Sequence, residues 1–468
     1  MNVNLRELMA ALPEDAGAET GPSAEAAQEQ MRELAADLAM RRVPINSLHR
    51  LWIVGELSAQ VALAYFALWM RQGFADAETR KRRLMETNLR LALKMFHRLA
   101  YLRGAMTKIG QAAGNLPSIM PDQIADTLER LHFDAPPMHF SLIREVFENE
   151  LGKSPEDLFQ SFDRDGFAAA SLGQVHRARL KSGEEVAVKI QYPGVARTID
   201  ADFRNLGALL FPMRLGKDWE SIQAGFDEIH RMLKQEVDYE REAESLSESR
   251  ELFQPADGIV IPRVYPDYST HRVLTMDFIA GPHLAQFLAA NPSQELRDQF
   301  GTKMYVAWKR IYDAHMNYAD PNSGNYIFMD DGRLGLLDFG CIQHFGAEEQ
   351  ELLQLSQPFL DSMDSFPEFL KRATGASDSD LANPEYVGLV ADAIGWLIEP
   401  AVEEGPFDFG DETHLKHGVE RFFGLVRKRY TRGHPMFLYY FRSVFGLWAV
   451  LYRLRARVDV HAIFRGAA

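Results

Sequence analysis

The stretch YADPNSGNYIFMDDGRLGLLDFGC, residues 318–341, holds the residues whose types and spacing point most directly to chemistry. Asn325 follows Asp320 by five residues, and Asp338 lies eighteen beyond Asp320. Carboxylate and amide oxygens are the ligands a hard cation such as Mg²⁺ takes up. In a phosphoryl-transfer site one aspartate orients or deprotonates the acceptor. An asparagine five residues later and an aspartate on the next hairpin then bind the metal ions that bridge the nucleotide phosphates. The tripeptide Asp338-Phe339-Gly340 is weak alone, since chance gives one in roughly a tenth of chains this long at average usage. Joined to the Asp–Asn pair it becomes a strong signal. The bland alternative makes Asp320 the opening of a Pro-Asn-Ser-Gly turn and Asp338 a helix cap.

Lys189 lies in VAVKI, flanked by apolar residues on a short predicted strand. A lysine buried on a strand is costly unless paired, so the sequence implies a partner. In kinases a lysine in this setting binds the α- and β-phosphates and pairs with a glutamate on a nearby helix. About twenty residues upstream, Ala168, Ala169, Ala170 and Ser171 stand where a kinase carries its glycine-rich loop. Alanine is small enough for close approach to phosphates but lacks the positive-φ freedom of glycine. Taken alone, the segment is a small-residue packing patch.

These residues need elements to hold them. GFAAASLGQVHRARLKSGEEVAVKIQYP, residues 166–193, predicts two strands around a KSGEE turn. A long helical stretch is predicted from about 196 to 252, with IPRVY (261–265) and RVLTMDF (272–278) as a further strand pair. NYIFMDDGRLGLLDF predicts a hairpin turning at Asp-Asp-Gly, and a helix begins near Ala347. The expected fold class is α+β: a two-lobed, protein-kinase-like fold with a strand-rich N-lobe, a helical C-lobe and a cleft between them. An N-terminal helical extension covers the cleft. The divisions read as 1–95, helical with a mobile start; 96–163, a second helical extension; 164–281, the N-lobe with a helical insert; 282–375, the C-lobe; and 376–468, a C-terminal helical extension.

Composition excludes some functions. A net charge of -15 and a pI near 5.5 argue against a nucleic-acid footprint. The single cysteine, Cys341, allows no internal disulfide and no cysteine-based zinc site, which fits a reducing compartment such as the cytoplasm. The N-terminus lacks a basic start followed by an apolar run, so no signal peptide is expected. Residues 51–70, LWIVGELSAQVALAYFALWM, are nearly long enough to span a bilayer, but Glu56 and Gln60 share one helical face. A packing helix is the expectation, with peripheral membrane contact as the alternative. FLYYFRSVFGLWAVLYRLRARV, interrupted by Arg442 and closed by Arg453, is expected to be a core helix.

Further motifs, in order, give the chain a family resemblance. Lys108-Ile109-Gly110-Gln111 matches KxGQ, the alanine segment follows, then Lys189 in VAVKIQYP and Glu236-Val237-Asp238 for ExD. Asp320 through Asn325 and Asp338-Phe339-Gly340 complete the set. Across about residues 95–350 the chain resembles the UbiB (AarF-type) atypical kinases, which include mitochondrial and plastid proteins linked to ubiquinone and other prenyl lipids. Ordinary protein kinases lack KxGQ, the alanine-rich loop and ExD.

The resemblance implies that Lys189 pairs with Glu242, that Asn325 and Asp338 bind Mg²⁺ (or Mn²⁺), and that Asp320 is the catalytic-loop carboxylate. Lys108, Gln111, Glu236 and Asp238 become a cover restricting access to the γ-phosphate of ATP. Met276 and Phe278 join the alanine segment as nucleotide-binding candidates. QEVDYEREAE places Asp238 and Glu242 four apart on one face of one helix, although a solvated acidic face explains that stripe equally well. The family often has His-Ala-Asp-Pro-His-Pro-Gly-Asn. Here Tyr318 and Asn322 replace the histidines, and Ser323 replaces the second proline.

Only about eight residues separate Asp338-Phe339-Gly340 from the next predicted helix, with no Ser, Thr or Tyr. A protein kinase needs a longer segment to hold a peptide. The expected function is an ATP- and Mg²⁺-dependent kinase or ATPase acting on a small-molecule or lipid substrate, in quinone or other prenyl-lipid metabolism. The alternatives are a nucleotide-gated lipid- or partner-binding protein with little turnover, and a small-molecule phosphotransferase. The sequence names neither the acceptor nor an oligomeric state.

Overall fold

The computed structural model describes residues 138–466 except 171, 198, 201–202, 205–218, 320, 429, 431–433 and 435. The chain divides into two compact units. One runs to Asp238 and takes back Tyr268–Thr275; the other holds Tyr239–Asp267 and everything from Met276.

The first unit is built on an antiparallel hairpin, β3 (Gly173–Arg179) and β4 (Glu185–Gln191), in full register from Gly173↔Gln191 to Arg179↔Glu185. β3 alternates buried and more exposed positions at its far end, while β4 is buried almost throughout, as its run of Val, Ala and Ile requires. The KSGEE turn forms as expected, with Gly183 at φ 107, a value that disfavours any side chain. Arg177 and Arg179 both reach Glu185 at 2.6 Å on the exposed side of the hairpin. Short strands β1 (Ser161–Phe162) and β2 (Ala168–Ala170) pair with β3. β6 (Val273–Asp277) flanks β4 and completes a five-stranded sheet. Helix α1 (Phe140–Leu151) packs Phe147 edge-on against Phe159 and Phe162. It stops at Gly152, whose φ of 68 supplies the left-handed cap.

Two expectations need correction here. The long helix is interrupted: α2 (Trp219–Glu236) ends at the ExD glutamate, and α3 (Tyr239–Glu251) starts afresh. Val237, buried between the two, joins Leu172, Val195, Ile199, Phe203 and Leu233 in one apolar cluster. Burial of that residue sets the break, and neither Gly nor Pro marks it in the sequence. Asp238 and Glu242 therefore do not share a helix. IPRVY is likewise no strand: only Val264 bridges Met276, and the neighbouring strand β5 is Ile259–Val260.

In the second unit β5 runs parallel to β9 (Leu334–Leu336), which pairs antiparallel with β8 (Tyr326–Phe328). This is the expected hairpin, with Gly332 at φ 80 in its turn. A second ribbon pairs β7 (Met316–Tyr318) with β10 (Ile342–His344). Helix α4 (Gln294–Asp313) starts at a Ser293 cap accepting from the Leu296 amide and buries Phe300, Met304, Trp308 and Ile311 along one side. Helices α5 (Pro384–Val402), α6 (Glu412–Lys428) and α7 (Met436–Leu454) form the C-terminal region. The α7 segment is the expected core helix. Its Val444, Leu447, Trp448, Leu451 and Leu454 are buried, each contributing on the order of 1.5–3 kcal/mol by transfer from water.

Candidate active site

Strand β7 is buried at every residue and delivers the chain into the candidate catalytic loop. Asp320 itself lies outside the described residues, as do Ser171, Lys108 and Gln111. Beyond it, Ser323–Asn325 form a 3₁₀ turn that places Asn325 in a buried position. Asn322 organises this turn. Its Oδ1 accepts from the Gly324 amide at 2.8 Å, and its carbonyl accepts from the Asn325 amide at 3.1 Å. The residue that replaces a family histidine is thus the cap of the turn.

The β8–β9 hairpin carries the chain from Asn325 to Asp338. The Leu337 amide donates to the Asn325 carbonyl at 3.0 Å, so the ladder extends to the residue before Asp338. Asp338 Oδ1 accepts from the Gly340 amide at 3.0 Å, which fixes the carboxylate against the backbone. Phe339 is fully buried, and its ring lies 5.3 Å from that of Tyr318. Tyr318, the other replaced histidine, therefore packs directly on the aromatic residue following Asp338.

Glu242, 1% exposed, lies on α3 in the same unit. A Cβ added to Gly340 would sit 3.5 Å from Glu242 Oε2 and 3.4 Å from Asp338 Oδ1. The two carboxylates thus border the same glycine. Lys189 is in the first unit, on β4 opposite Val175, and is 9% exposed. The alanine segment is not a loop throughout: Ala168, Ala169 and Ala170 form β2 and pair with Val175, Gln174 and Gly173. Glu236 closes α2, and Asp238 lies beyond it with His271 Nδ1 3.7 Å from its carboxylate. Met276 is buried and Phe278 is half-buried at the end of β6.

Sequence reading missed the support that α7 gives the loop. Ser443 Oγ donates to the Tyr318 carbonyl at 2.7 Å and accepts from Trp308 Nε1 at 2.6 Å. A Cβ at Gly446 would meet Pro321 Cγ at 2.8 Å, so glycine permits the close approach of helix and loop. Arg453 Nη1 reaches Ser323 Oγ at 3.3 Å. The available signal was a serine and a glycine three apart in a helix that is apolar or aromatic apart from them, Arg442 and Arg453. On the same helix, burial pushes the Tyr440 hydroxyl up to about 12, so it stays neutral.

Three comparisons bear on this geometry. The ABC1 atypical kinase-like domain matches residues 130–360. Mitochondrial atypical kinase COQ8B of Rattus norvegicus is 30% identical over 383 residues, covering 79% of this chain and 70% of that protein. The chain belongs to the UbiB (AarF-type) atypical kinase family.

Other relatives agree in kind. Mitochondrial atypical kinase COQ8 of Schizosaccharomyces pombe is 29% identical over 388 residues, 80% of this chain and 62% of that one. The chloroplastic protein ACTIVITY OF BC1 COMPLEX KINASE 8 of Arabidopsis thaliana is 36% identical over 247 residues, 50% of this chain and 32% of its own length. The chain spans between about a third and about two thirds of the curated relatives first matched. The solved complex of Rv3197 with erythromycin, from Mycobacterium tuberculosis, superposes with a TM-score of 0.54 at 24% identity. It covers 83% of this chain and 97% of that one, and it supports the α+β, kinase-like fold class. Among the described residues no helix is long and apolar enough to cross a membrane; residues 51–70 are not among them.

Proposed function

We propose that this UbiB-family chain is an ATP- and Mg²⁺-dependent kinase or ATPase that acts on a small-molecule or lipid acceptor in quinone or other prenyl-lipid metabolism. In this reading Asn325 and Asp338 hold Mg²⁺ (or Mn²⁺) on the nucleotide phosphates. Their oxygen donors suit a hard cation, and the Leu337–Asn325 hydrogen bond and the Gly340–Asp338 cap pre-set both residues. The metal would neutralise charge developing on the transferred phosphoryl group. Asp320 orients the acceptor, and Lys189 contacts the α- and β-phosphates with Glu242 as its family-implied partner. Ala168 to Ser171, Met276 and Phe278 contact the nucleotide, while Lys108, Gln111, Glu236 and Asp238 restrict access.

One observation carries the preference for a small acceptor. Residues 341–346 alone separate Gly340 from the helix Ala347–Ser356, and within them Ile342–His344 is committed to pairing with β7. That leaves little of this stretch free to hold a peptide as a kinase activation segment does. The names of the relatives, mitochondrial and chloroplastic COQ8- and ABC1-type kinases, support the quinone connection. The buried Cys341 fits a reducing compartment, and peripheral membrane contact remains part of the proposal.

Radiolabelled ATP decides between acceptors. The wild type is expected to release phosphate or label a lipid fraction, and to leave generic protein substrates unlabelled. Strong labelling of such a substrate by wild type would overturn the small-acceptor reading. The nucleotide-gated binder survives only if binding is seen without turnover.

A further inference from the structure

Helix α3 makes three contacts with the segment that follows Asp338-Phe339. The Arg241 guanidinium donates to the Ile342 carbonyl at 2.6 Å. Glu242 Oε2 borders Gly340, and Glu248 Oε2 lies 2.7 Å from His344 Nε2. Arg241 and Glu248 are seven apart, two helical turns, and so lie on the same side of α3. The buried residues of α3 are Tyr239, Glu242, Ser245, Leu246 and Ser249. The serines let the helix sit close to backbone, and Tyr239 and Leu246 supply apolar adhesion. Arg241 adds a directed contact, aimed at the backbone of β10.

Ile342 is fully buried and lies opposite Tyr318 in the β7–β10 ribbon. Tyr318 packs on Phe339 and precedes the candidate catalytic aspartate by two residues. We propose that Arg241 is a positioning residue: by holding Ile342 it makes the Glu242 helix and the Asp338 segment one mechanical element, keeping both carboxylates in register with the catalytic loop. The Glu248–His344 pair is a second, exposed tie at the far end of the same segment. The consequence is regulatory. Helix α3, which carries Glu242, cannot move away from the Asp338 segment without breaking the Arg241 contact, so the two elements stay together without a phosphorylated activation segment. This rests on the phosphoryl-transfer reading for its functional part, but the tie itself does not.

Two readouts on the full chain separate those parts. Hydrogen exchange at residues 340–344 is expected to quicken about tenfold or more in Arg241→Ala, the scale of losing one charge-assisted hydrogen bond. Mg²⁺-dependent affinity for a fluorescent ATP analogue should fall by a similar factor. Arg241→Lys, which keeps a single charged donor, should restore part of both. A structural role confined to overall stability would move the melting temperature and leave exchange at 340–344 no faster than elsewhere. If Arg241→Ala does not fold, Arg241→Met keeps the apolar length without the donor, and the same outcomes apply. Wild-type exchange at 340–344 in a folded variant overturns the tie. Quickened exchange with unchanged Mg²⁺-dependent affinity overturns the positioning role. A wild type that binds no Mg²⁺–nucleotide overturns the phosphoryl-transfer reading and the positioning role with it, while the exchange result still reports on the tie.

Discussion

The backbone amide of Leu337 donates to the carbonyl of Asn325 at 3.0 Å, which sets Asn325 across one hydrogen bond from the residue immediately before Asp338. Neither side chain depends on a long mobile loop for its position. Asn325 is capped from below by Asn322, and Asp338 is fixed by the Gly340 amide. Rigid mounting of this kind is what a metal–phosphate site needs, because displacement of about 1 Å costs much of the catalytic effect.

The C-terminal helix is part of that mounting, so changes on it should be felt at the loop. Ser443→Ala removes the acceptor of Trp308 Nε1 and the donor to the Tyr318 carbonyl, leaving buried polar groups unsatisfied. The expected loss is about 1–3 kcal/mol in urea unfolding. Gly446→Ala places a Cβ against Pro321 and should cut ATP turnover by about tenfold to a hundredfold while the protein stays folded. Wild-type turnover in Gly446→Ala would show that loop and helix are not coupled.

Stability should also depend on pH through His414. Its ring stacks on Trp396, with Glu399 Oε2 3.1 Å from Nδ1. Burial holds the imidazole down to about 4, outweighing the Asp411 and Glu403 carboxylates, which favour protonation. The unfolded chain, with its histidine near its ordinary 6.5, binds the proton more readily. The contribution is therefore whole above about pH 6.5 and is lost as pH falls towards 4, with a slope of at most ~1.4 kcal/mol per pH unit. Urea titrations between pH 7.5 and 5 should show this decline in wild type and a shallower one in His414→Gln. Parallel declines would remove His414 as the cause.

What was legible in the sequence is what short-range chemistry decides. The KSGEE and Asp-Asp-Gly turns, the VAVKI strand and the helix at Ala347 are signalled by residues within a few positions of each feature. The break at Val237 was not legible, because it follows from an apolar cluster drawing on residues from Leu172 to Leu233. IPRVY has strand-like residues but too little pairing, and propensity alone could not tell this. Ser443 and Tyr318 are 125 positions apart, and Arg241 and Ile342 are 101 apart. Nothing local marks either pair. Tyr318 and Asn322 looked like departures from the family pattern, and the structure gives each a packing or capping role that no spacing rule encodes.

The phosphoryl-transfer reading requires that Asn325 and Asp338 bind a divalent ion together with ATP. Calorimetric titration of ATP with and without Mg²⁺, on wild type and Asp338→Asn, measures this. Two protein ligands are too few to hold Mg²⁺ without phosphate oxygens, so binding should require the metal and nucleotide together. Replacing the charged carboxylate by an amide should weaken metal-dependent affinity by about tenfold or more. Equal ATP affinity in wild type and Asp338→Asn, with or without Mg²⁺, would contradict the claim.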